Sequence, residues 1–419
     1  MPRNITEADL ALLAFAREVH RKAYAPYSGF RVGAAIFAGG EIFQGVNVEN
    51  AAYGSSICAE RSAALAAVTA GHTYFDAVAV VGDSEAPTVP CGACRQFLAE
   101  FNPAMRVIMG GRTDAVEVSR RDDLLPEAFA LVGRPNAGKS TLVNALVGTK
   151  VAITSDTPQT TRHRLRAVID REDAQIVVVD TPGLHKPVDA LGEEVNRSTV
   201  LAAADVDVVA LVIDATAPVG SGDAWVAERA VRGDRPVVLV LTKADLADEA
   251  MVASQLVRAR QLVTPVAEVV VSAVTGFNLE AFIASVLPLL PQGPRFFPRD
   301  MTTDQPLEVM LAELVREKVL RMTRDEVPHA VGVALEELEY DEGRDLSTVR
   351  ATVYVERESQ KGIIIGKGGE MIRAIGIEAR GDIERLLGTR VHLDLRVKVR
   401  KDWRRDSAQI RRFGYGEGL

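Results

Sequence analysis

Cysteine is scarce in this 419-residue chain: three residues, Cys58, Cys91 and Cys94, all within the first hundred positions. A reducing compartment argues against disulfides, so a C-x-x-C pair plus one more cysteine is better read as metal or catalytic chemistry. Long apolar runs are lacking too. None approaches the roughly 20 residues of a membrane span, and the opening Met1-Pro-Arg-Asn-Ile-Thr-Glu7 has neither the basic nor the apolar region of a secretion signal. The expectation is a cytoplasmic protein. Low-complexity tracts are missing, and 47% hydrophobic with 25% charged residues is the composition of a globular chain, long enough for roughly three domains. Positive charge is in deficit, 49 Lys+Arg against 57 Asp+Glu, for a net of −8. The deficit is uneven: residues 351–419 hold 15 Lys+Arg against 10 Asp+Glu, a net of +5, so the first 350 carry −13. An acidic whole with a basic tail points to an anionic partner at the C-terminal end.

What is present is organised around Gly133-Arg134-Pro135-Asn136-Ala137-Gly138-Lys139-Ser140-Thr141. The apolar run Phe129–Val132 precedes it, and Leu142, Ala145 and Leu146 follow at helical spacing, so the stretch reads as strand, glycine-rich turn, helix. Glycines at both ends let backbone N–H groups turn inward around a polyphosphate. The helix N-terminus adds partial positive charge, Lys139 reaches the β- and γ-phosphates, and Ser140 offers a hydroxyl to Mg2+. Downstream, the apolar strand Ile176–Val179 runs into Asp180-Thr181-Pro182-Gly183, where the acid can hold Mg2+ through water and the Gly183 N–H can sense a γ-phosphate. Leu184 stands where many GTPases carry a water-orienting Gln, which predicts slow intrinsic hydrolysis. The strand Val237–Leu241 leads to Thr242-Lys243-Ala244-Asp245, and Val269–Val271 to Ser272-Ala273. Asp245 can accept from both N1–H and the exocyclic amine of guanine, which favours GTP over ATP. Thr242 replaces the Asn usual in this motif.

In the first 128 residues, Thr6 and Asp9 read as a helix start, and strands at 32–37, 42–48, 77–81 and 106–109 alternate with two helices that open at the cysteines. Helix N-termini favour thiolate over thiol, so the three cysteines suit zinc with a fourth position left for water, and Glu60 is placed to shuttle protons. Arg61 and Gln96 can offset the charge on the sulfurs. Cysteine, Glu two residues on, then Pro-Cys-x-x-Cys is the signature of zinc nucleobase deaminases. With Ser28–Ala35, Asn47–Asn50, Cys58–Arg61 and Pro90–Gln96 in that order, residues 5–128 resemble the small homotetrameric cytidine deaminases acting on free nucleosides. The resemblance implies conversion of cytidine or deoxycytidine to uridine or deoxyuridine, with Asn47 and Glu49 on the ribose and Phe30 packing against the nucleoside.

The wording of the phosphate loop, of Gln159-Thr160-Thr161-Arg162-His163-Arg164 and of Asp180–His185 resembles the Era family of GTPases. That resemblance implies that Thr160, or its neighbour Thr161, closes over Mg2+. The first strand of this domain is shared with the end of the deaminase segment, so a weakened edge is expected. Prolines and glycine at 288–298 mark a boundary, after which a helix at 307–323 and strands at 330–337 and 348–356 lead to Gly366-Lys367-Gly368-Gly369. A G-x-x-G turn tipped by lysine clamps a nucleic-acid backbone in KH domains. Here, with the Ile363–Ile365 run, the strand 391–399 and Lys398–Arg405, it resembles the KH domain of the same family. The implied partners are the 3′ end of 16S rRNA and the 30S subunit, with peripheral contact to the inner membrane surface as an alternative use of the basic tract. The expected architecture is α/β in three domains: a cytidine-deaminase α/β/α layer domain at 1–128, a P-loop GTPase with a doubly wound sheet at 129–292, and a linker with a type II KH α+β domain at 293–419.

Overall fold

The computed structural model describes all residues except 1–4, 51–55, 121–127, 232–234, 291–296 and 416–419 and positions 103, 173, 188, 205, 300, 407–408, 411–412 and 414. The predicted junction at 124–127 and most of the proline-rich boundary lie outside the described residues. The chain divides into two compact units, 1–126 with 292–298, and 127–291 with 299–419. No described helix is long and apolar enough to cross a membrane.

In the first unit, α1 (Glu7–His20) starts at a reciprocal cap: the Thr6 hydroxyl accepts from Asp9 N–H at 3.2 Å and the Asp9 carboxylate accepts from Thr6 N–H at 2.8 Å. Strands β1 (Val32–Ala38), β2 (Glu41–Val46), β3 (Ala77–Gly82), β4 (Arg106–Gly110) and β5 (Val116–Arg120) form one sheet in the order β2-β1-β3-β4-β5. Alternation along the strands divides the core. Ala35, Ala79 and Ile108 pack with Leu12, Leu13 and Ala16 of α1, while Ala34, Ile36, Val78 and Val80 pack on the opposite face with α2 (Ala59–Thr69) and α3 (Gly92–Ala99). The alanine-rich face of α2 lies so close to the sheet that a Cβ on Gly45 would meet Ala63 N at 2.2 Å. Strand β5 was not expected from the sequence; it pairs antiparallel with β4 through a segment in which charged and apolar residues alternate.

The second unit begins with β6 (Ala128–Gly133), then α4 (Lys139–Val147), β7 (Leu165–Asp170), β8 (Gln175–Asp180), α5 (Ala190–Ala204), β9 (Val208–Asp214), α6 (Ser221–Ala230), β10 (Val237–Thr242), α7 (Glu249–Ala259), β11 (Ala267–Val270) and α8 (Leu279–Val286). The sheet order is β11-β10-β9-β6-β8-β7, with β7 the antiparallel member. The expected weak edge is not found. β6 is central, flanked by β8 and β9, and all six of its residues are buried. Then follow α9 (Leu307–Met322), β12 (Gly332–Asp341), β13 (Leu346–Val355), α10 (Glu358–Ile365), α11 (Glu370–Leu387) and β14 (Arg390–Val399). This αββααβ order, with β14 parallel to β13, is the type II KH arrangement.

The G and KH sheets belong to one compact unit because α9 is buried on two sides. Leu311, Val315 and Val319 enter the KH core. Glu313, Arg316, Glu317 and Lys318 are buried as well, and they meet the G-domain segment 150–163: Glu317 accepts from Lys150 Nζ at 2.5 Å and Thr154 N–H at 2.9 Å, and Arg316 donates to the Thr160 carbonyl.

Candidate functional sites

Cys58 and Cys91 are the N-cap residues of α2 and α3, and Cys94 sits in the first turn of α3. Neither cap cysteine closes its helix with a side-chain hydrogen bond, so both sulfurs are left to face one another. All three Sγ atoms lie within 4.8 Å of each other, with Cys58 and Cys91 3.8 Å apart. Tetrahedral zinc with bonds of about 2.3 Å spaces its sulfurs by about 3.8 Å, so the trio fits zinc. Crowded together, the thiols resist ionising: hydrogen bonding to the Cys91 thiol leads in pushing Cys58 up to about 11, and its neighbours push Cys94 upward too. A cation in their midst would reverse this. Glu60 is 4% exposed, and burial, then charge on Cys91, raises its carboxyl to about 7. Arg61 donates to Cys58 Sγ at 3.7 Å and to the Ser56 carbonyl at 3.4 Å. Asn47 is tied into the adjacent backbone, donating to the Phe30 carbonyl at 2.9 Å and accepting from Val32 N–H at 2.7 Å. Glu49 accepts from Tyr27 N–H at 2.9 Å, from Ser28 N–H at 3.1 Å and from the Ser28 hydroxyl. These bonds tie the segment before β1, which carries Phe30, to the segment after β2, which carries Asn47 and Glu49, with Phe30 39% exposed.

At the phosphate loop, Asn136 (φ 61°) and Gly138 (φ 86°) turn the chain between β6 and α4. Lys139 is buried and donates to the Gly133 and Arg134 carbonyls at 3.2 and 2.8 Å; burial lowers its pKa to about 8. Ser140 Oγ donates to Asp180 Oδ2 at 2.6 Å and lies 2.8 Å from Thr161 Oγ1. Asp180 is fully buried, its pKa raised by burial to about 6, and its Oδ1 has no hydrogen-bond partner. A buried carboxylate oxygen without a partner, beside two hydroxyls, fits a hydrated divalent cation. The Thr181 hydroxyl donates to the Leu131 carbonyl at 2.7 Å, and Thr199 Oγ1 to that of Pro182 at 3.2 Å. Gly183 touches the phosphate loop so tightly that a Cβ would stand 2.5 Å from Pro135 N and Cα. Leu184 is buried, with its N–H on the Gly133 carbonyl at 3.2 Å. Pro135, Asn136, Thr141 and Lys243 line the same pocket, while Arg134 pairs with Asp223 at 3.4 Å.

The guanine-motif residues assemble on the ends of β10 and β11. The Thr242 hydroxyl donates to the Ala137 carbonyl at 2.7 Å, with the Ile213 carbonyl at 3.2 Å. Thr242 therefore ties strand to phosphate loop even though it is not Asn. Lys243 adopts φ 59° and pairs with Asp214 at 2.6 Å. Ser272 Oγ donates to Asp245 Oδ1 at 2.6 Å, orienting that carboxylate, and Ala273 follows it in the loop. In the KH sheet, Gly366 (φ 74°), Lys367, Gly368 (φ 61°) and Gly369 (φ 83°) form the turn between α10 and α11. A Cβ on Gly366 would meet Met371 Cβ at 2.7 Å, whereas Gly368 and Gly369 face open space. Ile363 and Ile377, 46% and 58% exposed, put apolar surface on the two helices joined by the turn.

Three family models match the chain: a 50S ribosome-binding GTPase over residues 128–243, a KH domain over 326–404, and a cytidine and deoxycytidylate deaminase zinc-binding region over 6–110. GTPase Era of Mycolicibacterium paratuberculosis is 52% identical over 289 residues, covering 68% of this chain and 97% of the relative. This chain belongs to the Era GTPase family. A solved Era structure in complex with MgGDPNP and nucleotides 1506–1542 of 16S ribosomal RNA is 37% identical with a TM-score of 0.67, covering 69% of this chain and 98% of that one. A solved cytidine deaminase from Burkholderia pseudomallei is 45% identical over 29% of this chain and 98% of its own, with a TM-score of 0.28. The zinc-binding-region match over residues 6–110 joins a cytidine-deaminase family domain to the Era portion, and the cofactors are those of the two families, Zn2+ and Mg2+.

In this Era-family chain the structure distinguishes two threonines that the sequence left as alternatives and adds one residue that it missed. Of the two threonines in Gln159–Arg164, Thr161 stands beside Ser140, whereas Thr160 turns its hydroxyl to the Thr157 carbonyl at 2.6 Å. Arg316 of α9 holds the Thr160 carbonyl, which fixes that rotation. Near the thiols the reading missed Arg95, 2% exposed, whose Nε donates to the Pro90 carbonyl at 2.5 Å and whose pKa burial lowers to about 10. Its place directly after Cys94 was the available signal. The Gln96 side chain lies outside the described residues.

Proposed function

We propose that this chain is bifunctional: a GTP-hydrolysing switch that binds the 3′ end of 16S rRNA through its KH domain during 30S assembly, joined to a deaminase that converts cytidine or deoxycytidine and water to uridine or deoxyuridine and ammonia. The observation that carries the first half is the cluster of half-buried Ser140 and Thr161 on fully buried Asp180 with its unpartnered Oδ1, set directly under the phosphate loop. Ser140 and Thr161, rather than Thr160, would hold Mg2+ with Asp180 behind them; when bound, the ion offsets charge on the β- and γ-phosphates. Lys139 exchanges the Gly133 and Arg134 carbonyls for phosphate oxygens, and backbone N–H groups from Gly133 to Thr141 enclose the rest. Asp245, braced by Ser272, accepts from guanine N1–H and the exocyclic amine, with Lys243, Thr242 and Ala273 around the base. Gly183 N–H reports the γ-phosphate, and Thr181, Pro182 and Leu184 hold that loop against β6.

For RNA, the Gly366–Gly369 turn presents Lys367 to the backbone while Ile363 and Ile377 take unpaired bases. The relative solved with 16S rRNA supports this reading. In the deaminase domain Cys58, Cys91 and Cys94 would hold zinc, which lowers the pKa of bound water toward ~7. Glu60, buried beside the trio, would take a proton from the attacking water and deliver protons to the pyrimidine ring nitrogen and the leaving ammonia. Arg61 and Arg95 offset thiolate charge, while Phe30, Asn47 and Glu49 hold the nucleoside. Both activities belong in the cytoplasm, where the basic C-terminal tract can also meet an anionic membrane surface.

The test is loss of cytidine absorbance by the full chain, with zinc and GTP binding measured on the same sample. Turnover with about one zinc per chain, lost in Glu60→Ala while GTP binding survives, is the expected result. Bound zinc without turnover would refute the catalytic half. A second reading keeps the deaminase domain as a homotetramerisation module. It is favoured by exposed Tyr24 (59%), Tyr27 (63%) and Leu65 (49%), and a monomer by sedimentation would rule it out.

A further inference from the structure

Hydrolysis needs a group that orients the attacking water, and the usual position for one is spent: Leu184 is buried with no polar atom to offer. We propose that Gln159 supplies this function from the opposite loop, with His185 as the residue that positions it. The inference rests on the GTPase reading above and goes beyond it, because the usual motif places the orienting group elsewhere.

Gln159 lines the same pocket as Lys139, Ser140 and Gly183. It adopts φ 66°, a left-handed conformation that costs a non-glycine residue energy and persists where surrounding contacts enforce it. His185 makes the enforcing contact. Gln159 Nε2 lies 2.6 Å from His185 Nε2, and His185 Nδ1 lies 3.1 Å from the Gly183 carbonyl. A carbonyl can only accept, so Nδ1 carries a proton, and Gln159 Nε2, which can only donate, makes His185 Nε2 the acceptor. That leaves the Gln159 carbonyl oxygen to accept from a water on the pocket side. The histidine is itself held: its N–H donates to Asn196 Oδ1 at 3.4 Å, and Asn196 Nδ2 donates to its carbonyl at 2.7 Å, anchoring it to α5.

The chain Gly183–His185–Gln159 therefore links the strand end that senses the γ-phosphate to an amide of the residue type that orients water in other GTPases. In the reaction the water oxygen forms a bond to the γ-phosphorus as the bond to the β–γ bridging oxygen breaks. The electron pair leaves with GDP, and the water proton passes to the released phosphate. Gln159 takes up no proton; it holds the water in line.

The test is single-turnover GTP hydrolysis by the full chain at excess protein, with GTP and GDP affinities measured by fluorescent analogues. Gln159→Ala is expected to slow hydrolysis by about tenfold or more while both affinities stay within about threefold. His185→Ala should cause part of that loss, and the double variant should lose no more than Gln159→Ala alone, since both act on one step. His185→Gln, whose carbonyl oxygen still accepts from Gln159, should retain most of the rate. Hydrolysis by Gln159→Ala within about twofold of the unmodified chain would overturn the assignment and leave the GTPase reading intact. Failure of the unmodified chain to bind or hydrolyse GTP would overturn both.

Discussion

Glu317→Ala tests the charged face of α9 that joins the G and KH sheets. The Glu317 side chain is wholly buried and accepts from Lys150 Nζ at 2.5 Å, Lys318 Nζ at 2.9 Å, Thr154 N–H at 2.9 Å and Arg321 at 3.2 Å. Removing one member of a buried ion network costs about 3–5 kcal/mol, because the remaining charges lose their counter-ion. The lower figure applies, since Asp382 still takes Lys150 at 2.9 Å and Lys318 at 2.5 Å. A loss of about 3 kcal/mol corresponds to a Tm lowered by roughly 6–12 °C, read by calorimetry on the full chain. Acid provides a check on sign. Burial pushes the Asp382 carboxyl up, but Lys318 and Lys150 overcome it and hold the group at about 2, below its ordinary 3.8. Glu317 is likewise held low: burial opposes ionisation, and hydrogen bonds led by Lys150 prevail. A depressed carboxyl contributes stability above its unfolded pKa and loses it as pH falls through the folded value. The network's contribution is therefore complete at neutral pH and disappears towards pH about 2, so the gap between the parent chain and Glu317→Ala narrows in acid. A loss below about 1 kcal/mol at pH 7, or a gap that widens in acid, would refute the reasoning.

Gly183→Ala places a Cβ 2.5 Å from the Pro135 backbone, so loop and strand end must separate; GTP affinity should fall about tenfold, as measured by fluorescent-nucleotide titration, with GDP less affected. In the KH turn an added Cβ on Gly368 meets nothing within 4 Å, so Gly368→Asp costs about 1–2 kcal/mol for placing a non-glycine residue at φ 61° and sets a carboxylate where phosphate would lie. It and Lys367→Ala should weaken binding to the rRNA 3′ end in filter or anisotropy assays, and Lys367→Ala should lower the salt slope by about 1. Unchanged RNA affinity in both variants would remove the turn from the interface.

Chemistry carried by short contiguous motifs was legible in the chain. The phosphate loop could be read because Gly133, Gly138, Lys139 and Ser140 occupy one strand–turn–helix unit, and the zinc trio because two helix starts each bring a cysteine with them. The KH domain was legible through its Gly366–Gly369 turn and its resemblance to the family, whereas α10 was not read from the sequence. Elements whose burial depends on distant partners were not. Strand β5 alternates charged and apolar residues and forms because β4 offers an edge. β6 was expected to be weakened by its junction with the deaminase segment, yet it lies inside its sheet with all six residues buried.

The sequence by itself determined that motifs of three families are present and named candidate residues for each, because each motif is a short run whose local spacing the chain itself sets. Tertiary structure decided how those residues are used. Thr161 rather than Thr160 meets Ser140 because Arg316, 156 residues away, holds the Thr160 carbonyl. Arg162 is buried within 5.9 Å of the Trp403 ring and 5.4 Å of the Tyr415 ring and donates to the Val331 carbonyl at 2.6 Å. The polar face of α9, which periodicity assigns to water, is instead an ionic seam with residues 150–160. Hydrophobic spacing records which side of a helix enters its own core, but a buried charge is stable only beside a partner, and that partner comes from a remote part of the chain.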